Sequence, residues 1–342
     1  MTQRARNRRH GTNRRATPAP AAVVSTNHLL GLHGVSPETI RSYLQLAREY
    51  SAARAVKPVL AGKIIANLFF EDSTRTRTSF SIAAMRLGAQ VVDLMGVGSS
   101  VNKGETLIDT ATNVEAMGVA AVVVRAKQSG AAAMVAQRVR CPVINGGDGR
   151  HEHPTQGLLD VYTIAESMKR LRDFDLTGLK VAIVGDIVSS RVARSTIAAL
   201  QALGASVICV GPPSMAPGSL AAMGVTVRRD MDAVVPEMDA VMMLRIQFER
   251  AEAAAGTKGE SLVTKAPGLA SVREYRAKYS LTQERADTMK AGAIVLHPGP
   301  INRGIELDAP VADGPRSVIL RQVTNGVLVR MAVMAKLCGR VG

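Results

Sequence analysis

The sequence contains very few aromatic residues: no tryptophan, five tyrosines and five phenylalanines among 342 residues. Proteins that bind single-stranded nucleic acid stack bases on aromatic side chains, so this scarcity argues against such a surface. Long apolar runs are also missing, because none approaches the roughly 18 to 20 residues that a membrane span requires. No secretory signal pattern follows the N-terminal charges either. We therefore expect a soluble protein with no membrane contact.

Cysteine is scarce as well. The three cysteines, Cys141, Cys209 and Cys338, are odd in number, far apart and not arranged as C-x-x-C. This usage excludes a disulfide framework and a thiolate zinc site, and it favours a cytoplasmic location.

Acidic residues are absent from the first twenty positions, although the whole chain has a net charge of +15. Six arginines there supply +6 of that total and leave +9 for the rest of the chain. Without apolar periodicity, residues 1–25 are predicted to form a disordered basic tail. Its role stays open between a solvated extension and contact with nucleic acid or another polyanion.

Beyond the tail, short apolar runs alternate with helical periodicity. This pattern predicts an α/β fold of two doubly wound parallel-sheet domains. We place the first domain at residues 26–168 and the second at 169–316, with a final helix at 317–338 that packs back on the first domain. The predicted strands are Ile64–Phe70, Val91–Met95, Val119–Val124, Val143–Asn145, Lys180–Val184, Ser206–Val210, Thr226–Arg228, Val241–Leu244 and Ile294–His297.

Arginines recur directly after these strands. In open parallel sheets ligands bind beyond the carboxyl ends of the strands, so the residues there indicate the kind of ligand. Several arginines at such positions predict a site for an anion with more than one negative group. The segments concerned are EDSTRTR, Arg125, GGDGRHEHPTQ, GDIVSSR and RIQ, together with HPGP after the last strand.

The segment STRTR, residues 73–77, has the features of a phosphate site. Ser73 suits the N-cap of the helix whose apolar face begins near Phe80, so the first N–H groups of that helix would point outward. Arg75 adds a planar fork of donors. A plain capped helix would gain nothing from basic residues at its positive end, whereas a bound anion would offset their repulsion. Arg77 is expected to point away and form a structural or interface ion pair, with Glu105 as one candidate partner.

STRTR, HPTQ at 153–156, RIQ at 245–247 and HPGPINRG at 297–304 together resemble the aspartate/ornithine carbamoyltransferase family. Within it they resemble the catalytic chains of aspartate transcarbamoylases, because the ornithine enzymes typically show HPCQ, an SMG motif and HCLP. The resemblance covers about Thr26 to Leu337. Two arginines also suit the two carboxylates of aspartate better than the cationic side chain of ornithine.

The resemblance implies transfer of the carbamoyl group of carbamoyl phosphate to the amine of L-aspartate. The products would be N-carbamoyl-L-aspartate and phosphate, in an early step of pyrimidine biosynthesis, without a cofactor or metal. Thr76, Arg125 and His153 would converge on the carbonyl oxygen, and His297 would hold the Pro-Gly-Pro turn. The carbamoyl phosphate site would comprise Ser73, Thr74, Arg75, Thr76, Arg125, His153, Gln156, Pro298 and Gly299.

For aspartate, the resemblance implies Arg191 at the α-carboxylate, and Arg245 with Gln247 at the side-chain carboxylate. The loop at 98–105 resembles one that the family donates from a neighbouring subunit, with Ser99 and Lys103 entering the site and Lys103 also serving catalysis. A homotrimer with shared sites follows, and a regulatory or dihydroorotase-like chain could attach to it. We also hypothesise that residues 250–279 close over bound aspartate.

Two motifs could also indicate a metal site or a nicotinamide cofactor site. His151 and His153 could suggest a metal, but no third ligand matches them. The turn GDIVSSR lacks G-x-G-x-x-G, which argues against a nicotinamide cofactor. Two alternatives stay open: a carbamoyltransferase for another amino acid, which RIQ would discriminate, and a nucleic-acid-binding protein driven by positive charge.

Overall fold

A computed structural model describes residues 27–95, 105–246 and 271–339. Three predicted site residues, Ser99, Lys103 and Gln247, lie outside the described residues, as does the basic tail. The same applies to most of the segment that we expect to close over aspartate. Within the described ranges, no helix is long and apolar enough to cross a membrane.

The first sheet contains four parallel strands: β1 (Ile64–Phe69), β2 (Gln90–Met95), β3 (Ala121–Ala126) and β4 (Val143–Asp148). Their spatial order is β2-β1-β3-β4. Strands β1 and β3 are apolar almost throughout because both faces of the sheet are covered there. Strand β2 lies at the edge and is correspondingly more exposed.

The second sheet contains five parallel strands in the order β7-β6-β5-β8-β9. These are β5 (Lys180–Val184), β6 (Ser206–Val210), β7 (Thr226–Arg228), β8 (Ala240–Met243) and β9 (Ile294–Leu296). The prediction of two parallel-sheet α/β domains is therefore confirmed. Each predicted strand is present, with ends that differ by at most a few residues.

Helices cover the sheets and connect the strands. Most begin at residues that suit an N-cap: Ser36, for example, accepts a hydrogen bond from the backbone N–H of Thr39 at the start of α1. The α-helices in the described ranges are α1 (Pro37–Ala52), α2 (Thr74–Arg86), α3 (Leu107–Ala116), α4 (Ala131–Ala136), α5 (Pro154–Ser167), α6 (Arg191–Ala202), α7 (Met231–Val234), α8 (Val272–Tyr279), α9 (Gln283–Asp287), α10 (Ala309–Ala312) and α11 (Ile319–Cys338).

The last helix, α11, packs against α1, α2 and α5 of the first domain, as the sequence predicts. Its inner face is apolar, and Val329, Met331, Val333 and Met334 are fully buried there. Helices α5 and α6 pack against each other and join the two halves of the molecule. Gly157 of α5 permits this contact, since a Cβ there would meet the backbone of Ser195 in α6.

Strand register brings the strand ends of each sheet together. Phe69 pairs with Arg125, so the segment after β1 lies beside the end of β3. In the second sheet Val184 pairs with Met243, which places the turn after β5 beside Leu244 and Arg245. Both places are points where strand order reverses, and there the helices diverge and leave a crevice.

Candidate active site

A cavity of about 1120 Å³ opens at the carboxyl ends of both sheets. Every predicted site residue within the described ranges lines it, including residues that are more than two hundred positions apart in sequence. The structure therefore brings together the two halves of the predicted site. Those residues are Ser73, Thr74, Arg75, Thr76, Arg125, His153, Gln156, Arg191, Arg245, Pro298 and Gly299.

The start of α2 forms one wall of the cavity. Helix α2 begins at Thr74 with Ser73 at the N-cap, as predicted, but the Ser73 hydroxyl accepts no capping hydrogen bond. The first turn carries no acidic residue, although acids usually stabilise this end of a helix. Burial lowers the pKa of Arg75, and the charge of Arg245 lowers it further. An anion bound here would relieve both features.

The turn after β9 lies against Arg75 in the cavity wall. Gly299 has a φ of +65°, and a Cβ at this position would collide with the Arg75 guanidinium. The backbone N–H of Gly299 donates to Nδ1 of His297 at 2.7 Å. His297 is buried and lies 3.3 Å from Oε1 of Glu306 through its Nε2. These contacts confirm the prediction that His297 holds the Pro-Gly-Pro turn.

Arg125 and His153 lie on the first-domain side. Arg125 donates to the carbonyl oxygen of Gly146 at 3.3 Å and lies 3.6 Å from a carboxylate oxygen of Glu71. His153 is only 4% exposed. Its burial, together with the charges of Arg125, Arg330 and Arg191, holds its pKa well below 6.5, so the imidazole is neutral near pH 7. A neutral imidazole still offers one N–H donor.

Arg191 spans the crevice between the domains. Its guanidinium donates two hydrogen bonds to Glu71, at 2.7 and 2.9 Å, so a carboxylate already occupies its fork. Gly147 permits this approach, since its φ is +115° and a Cβ there would lie 3.0 Å from the Arg191 Nε. Arg245, which follows the adjacent strand β8 of the same domain, donates to the side-chain oxygen of Asn302 at 3.5 Å.

A buried carboxylate lies behind Gln156. Asp160 is fully buried and accepts hydrogen bonds from Gln156 at 2.9 Å, Gln322 at 2.8 Å and Thr196 at 2.8 Å. Burial raises the pKa of Asp160 to about 7, while the three donors and the charge of Arg330 oppose that rise.

Sequence reasoning missed four side chains of this region: Glu71, Asp160, Gln322 and Arg330. Arg330 is 4% exposed, lines the cavity and packs over the Phe80 ring, and burial lowers its pKa to about 10. Two of the four carry a signal in the sequence. Asp160 and Arg330 each interrupt an otherwise apolar helical face, and Asp160 follows Gln156 by four positions, which places both on one side of α5.

Arg77 lies outside the cavity lining. Its Nε lies 3.8 Å from Oδ2 of Asp93 on β2, so it forms an ion pair with a residue of the adjacent strand. The expectation of a structural ion pair is met, but Asp93 is the partner within this chain. Glu105 instead accepts a hydrogen bond from Asn113.

The cavity therefore combines several cations, of which Arg191 and Arg330 are buried, with a neutral imidazole donor and a backbone turn. Charge interactions are stronger in the buried part of the site, where less water screens them. This arrangement suits an anionic ligand whose transition state gains negative charge on an oxygen.

Two family models match the chain. The carbamoyl-P binding domain of aspartate/ornithine carbamoyltransferases matches residues 27–166, and the Asp/Orn binding domain of the same family matches residues 177–337. Together they span both sheets and α11. The resemblance read from the motifs is thus confirmed over nearly the whole described chain.

Curated relatives carry more specific names. The aspartate carbamoyltransferase catalytic subunit of Myxococcus xanthus is 50% identical over 308 residues, which cover 90% of this chain and 98% of the relative. That of Gluconacetobacter diazotrophicus is 48% identical over 311 residues, covering 90% of this chain and 91% of the relative.

Solved structures share the fold. Aspartate transcarbamoylase from Trypanosoma cruzi in complex with N-(phosphonacetyl)-L-aspartic acid has a TM-score of 0.77 at 30% identity, with 93% of this chain and 98% of that chain covered. Ornithine carbamoyltransferase from Pyrococcus furiosus also has a TM-score of 0.77, at 27% identity, with 93% and 99% covered. On the combined match of both domains, the chain belongs to the aspartate/ornithine carbamoyltransferase family.

Proposed function

We propose that this chain is an aspartate carbamoyltransferase, acting in pyrimidine biosynthesis. It transfers the carbamoyl group of carbamoyl phosphate to the amine of L-aspartate and releases N-carbamoyl-L-aspartate and phosphate. The observation that carries this proposal is the convergence of Arg75, Arg125, Arg191 and Arg245 on one cavity with the neutral His153. Curated relatives at 48–50% identity bear the same activity in their names.

The phosphate of carbamoyl phosphate binds at the start of α2. Ser73, Thr74 and Thr76 supply hydroxyl and backbone donors, and Arg75 supplies a guanidinium fork. The helix dipole favours negative charge at this end. The carbamoyl NH2 has only donors, so it takes the side-chain oxygen of Gln156 and the backbone carbonyls of Pro298 and Gly299 as acceptors.

The aspartate amine attacks the carbamoyl carbon, and negative charge grows on the carbonyl oxygen. Thr76, Arg125 and His153 donate to that oxygen and stabilise the tetrahedral centre. The C–O bond to phosphate then breaks, and the leaving phosphate takes up the proton that the amine loses. The enzyme contributes positioning and charge, with no covalent intermediate.

Aspartate recognition falls to the second domain. Arg191 binds the α-carboxylate, and Arg245 with Gln247 binds the side-chain carboxylate. Glu71 takes one N–H from each terminal nitrogen of Arg191, so the arriving carboxylate binds remaining donors of the guanidinium while Glu71 keeps it in place. The domain at residues 26–168 together with 317–338 thus binds carbamoyl phosphate, and residues 169–316 bind aspartate.

We further propose a cytoplasmic homotrimer in which Ser99 and Lys103 enter the site of the adjacent subunit. The basis is the resemblance of the loop at 98–105 to a donated loop of the family. The exposed edge strand β2 directly precedes this loop and leaves a surface for a second copy.

A substrate panel tests the main proposal. Phosphate release from carbamoyl phosphate is followed with L-aspartate, L-ornithine or another amine as acceptor. We expect release with aspartate alone, accompanied by N-carbamoyl-L-aspartate. Release with ornithine and none with aspartate would overturn the specificity, and no release with any amine would overturn the reaction.

Subunit mixing tests the shared site. Chains with Arg75→Ala and chains with Lys103→Ala are prepared separately, and each is expected to be inactive alone. The two are then mixed and reassembled into trimers. In a shared-site trimer some sites of the mixture combine two intact contributions, so part of the activity returns. If activity stays absent in mixed trimers whose composition is confirmed by mass, the loop does not cross between subunits.

A further inference from the structure

Asp160 links two glutamines that are 166 positions apart in sequence. Its Oδ1 accepts from the side-chain nitrogen of both Gln156 and Gln322, and its Oδ2 accepts from the Thr196 hydroxyl. Gln156 and Gln322 both line the cavity, whereas Asp160 lies behind them, outside the lining. The carboxylate therefore touches the site only through its neighbours.

The carboxylate fixes which way the Gln156 amide faces. In the structure the NH2 of Gln156 donates to Oδ1 of Asp160, an orientation that the ionised carboxylate requires because it only accepts hydrogen bonds. The amide oxygen is then left for the cavity. Were the amide rotated by 180°, two oxygens would face each other behind it, and the cavity would receive a donor where the carbamoyl NH2 needs an acceptor.

Asp160 also fixes the orientation of Gln322, which contacts the residues after β9. Its NH2 faces Asp160, so its oxygen accepts the backbone N–H of His297 at 3.0 Å. His297 in turn accepts the N–H of Gly299 at its Nδ1. The orientation of the Pro298 and Gly299 carbonyls thus depends on a chain of hydrogen bonds that begins at Asp160.

Given the proposed function, we infer that Asp160 is a positioning residue that fixes the acceptors for the carbamoyl NH2 on both walls of the cavity. It thereby makes the enzyme prefer a carbamoyl phosphate over an acyl phosphate of the same shape. Asp160 touches neither substrate, and the phosphate site at the start of α2 does not depend on it.

Acetyl phosphate tests this inference because it has a methyl group where carbamoyl phosphate has its NH2. Dissociation constants of both compounds are measured on the full-length protein and its variants, with thermal unfolding as a folding check. In wild type carbamoyl phosphate binds more tightly. In Asp160→Ala we expect the ratio of the two constants to fall by about tenfold, with acetyl phosphate binding little changed.

Three further variants sharpen the comparison. Asp160→Asn keeps one oxygen that accepts from both glutamines and directs its NH2 to Thr196, whose hydroxyl can accept as well as donate. This variant should therefore retain most of the ratio of the two dissociation constants. Thr196→Val removes the bond to the other carboxylate oxygen and should also leave the ratio intact. Gln322→Leu keeps the Gln156 bond but loosens the turn, so a partial fall is expected, and it replaces Asp160→Ala if that variant does not fold.

The outcomes separate this inference from the proposed function. A wild-type protein without preference for carbamoyl phosphate would contradict the proposed function itself. A clear wild-type preference that persists in Asp160→Ala, or in Gln322→Leu should the former not fold, would overturn the role of Asp160. An equal loss of affinity for both phosphates would show a general structural effect and would overturn it too.

Discussion

Gly299 brings the backbone of the turn after β9 against the Arg75 side chain in the cavity. Its positive φ and the Arg75 guanidinium next to its Cα leave no room for a side chain. We predict that Gly299→Ala lowers kcat/KM by about 10²-fold, because Arg75 must shift by roughly 1 Å from the phosphate. Steady-state kinetics with carbamoyl phosphate as the varied substrate measures this loss.

Gly304 offers a matched control for that substitution. It also has a positive φ, +79°, but a Cβ there would meet nothing within 4 Å. Gly304→Ala therefore carries the same backbone cost of about 1 kcal/mol without disturbing Arg75. Equal kinetic losses in both variants would show that backbone strain, and not the displacement of Arg75, is responsible.

The buried His153 makes the stability of the protein depend on pH. Its pKa is held well below 6.5 in the native state, so the native protein binds fewer protons than the unfolded chain as pH falls through 6.5. The free energy of unfolding therefore decreases on acidification. His153→Gln should lose less stability than wild type between pH 6.5 and 5, by up to about 2 kcal/mol in urea unfolding.

His151 is expected to change the free energy of unfolding with pH in the opposite direction. Its hydrogen bond with Asp148 raises its pKa, so its contribution is present below 6.5 and is lost as pH rises through the raised value. His151→Gln should therefore make the loss of stability on acidification larger. Identical pH slopes for wild type and His153→Gln would contradict the neutral, buried imidazole.

At the scale of elements, the ion pair between Glu71 and Arg191 connects the end of β1 with the start of α6. Its two short hydrogen bonds orient the Arg191 guanidinium across the crevice. In Glu71→Gln one charge and one bidentate contact are lost, so we predict that kcat/KM for aspartate falls by roughly tenfold. Steady-state kinetics at saturating carbamoyl phosphate measures it.

The exposed pair of Lys180 and Glu237, at 2.9 Å, serves as the control. Glu237→Gln removes a carboxylate of the same type far from the cavity, and exposed pairs contribute little. We expect unchanged kinetics there. A Glu71→Gln enzyme as active as the Glu237→Gln enzyme would show that the bridge across the crevice is dispensable.

Strand exits could be predicted well because apolar runs and the arginines behind them are both local signals. The end of β4 could not. The prediction stops at Asn145, since Gly146 and Gly147 indicate a turn, yet the strand continues to Asp148. There Gly147 admits the side chains of Arg125 and Arg191, which no local pattern reveals.

Contacts across the fold were equally invisible in the sequence. Gln322 reaches the site only because α11 returns to the first domain, and its partner Asp160 lies on α5. Neither residue belongs to a strand exit, which is the kind of position that the sequence indicates for ligand contacts. The hydroxyl of Ser73 shows the converse: its type predicts a capping bond, but the structure has none.

At the scale of the whole molecule, the positive charge separates into a tail and a site. The tail residues 1–20 hold six arginines, and other arginines line the cavity, where we propose that they bind small anions. We predict that removing residues 1–20 leaves kcat and KM unchanged while abolishing any salt-sensitive binding to nucleic acid. Kinetics and a DNA-binding titration at two salt concentrations check this.

A truncated protein that loses activity would show that the tail takes part in the enzyme's function, contrary to this separation of the positive charge. Retained nucleic-acid binding would place the responsible charges on the folded body. The same preparation of untruncated protein is the reference for both measurements.

The return of α11 to the first domain has a consequence for biosynthesis. The first domain obtains Gln322, Arg330 and a buried apolar face from a segment that is translated only after the whole second domain. Until α11 has been made, the surfaces of α1, α2 and α5 that face it remain uncovered. The half that is translated first is thus completed only after the second half has been made, and a nascent chain that lacks α11 has an incomplete cavity.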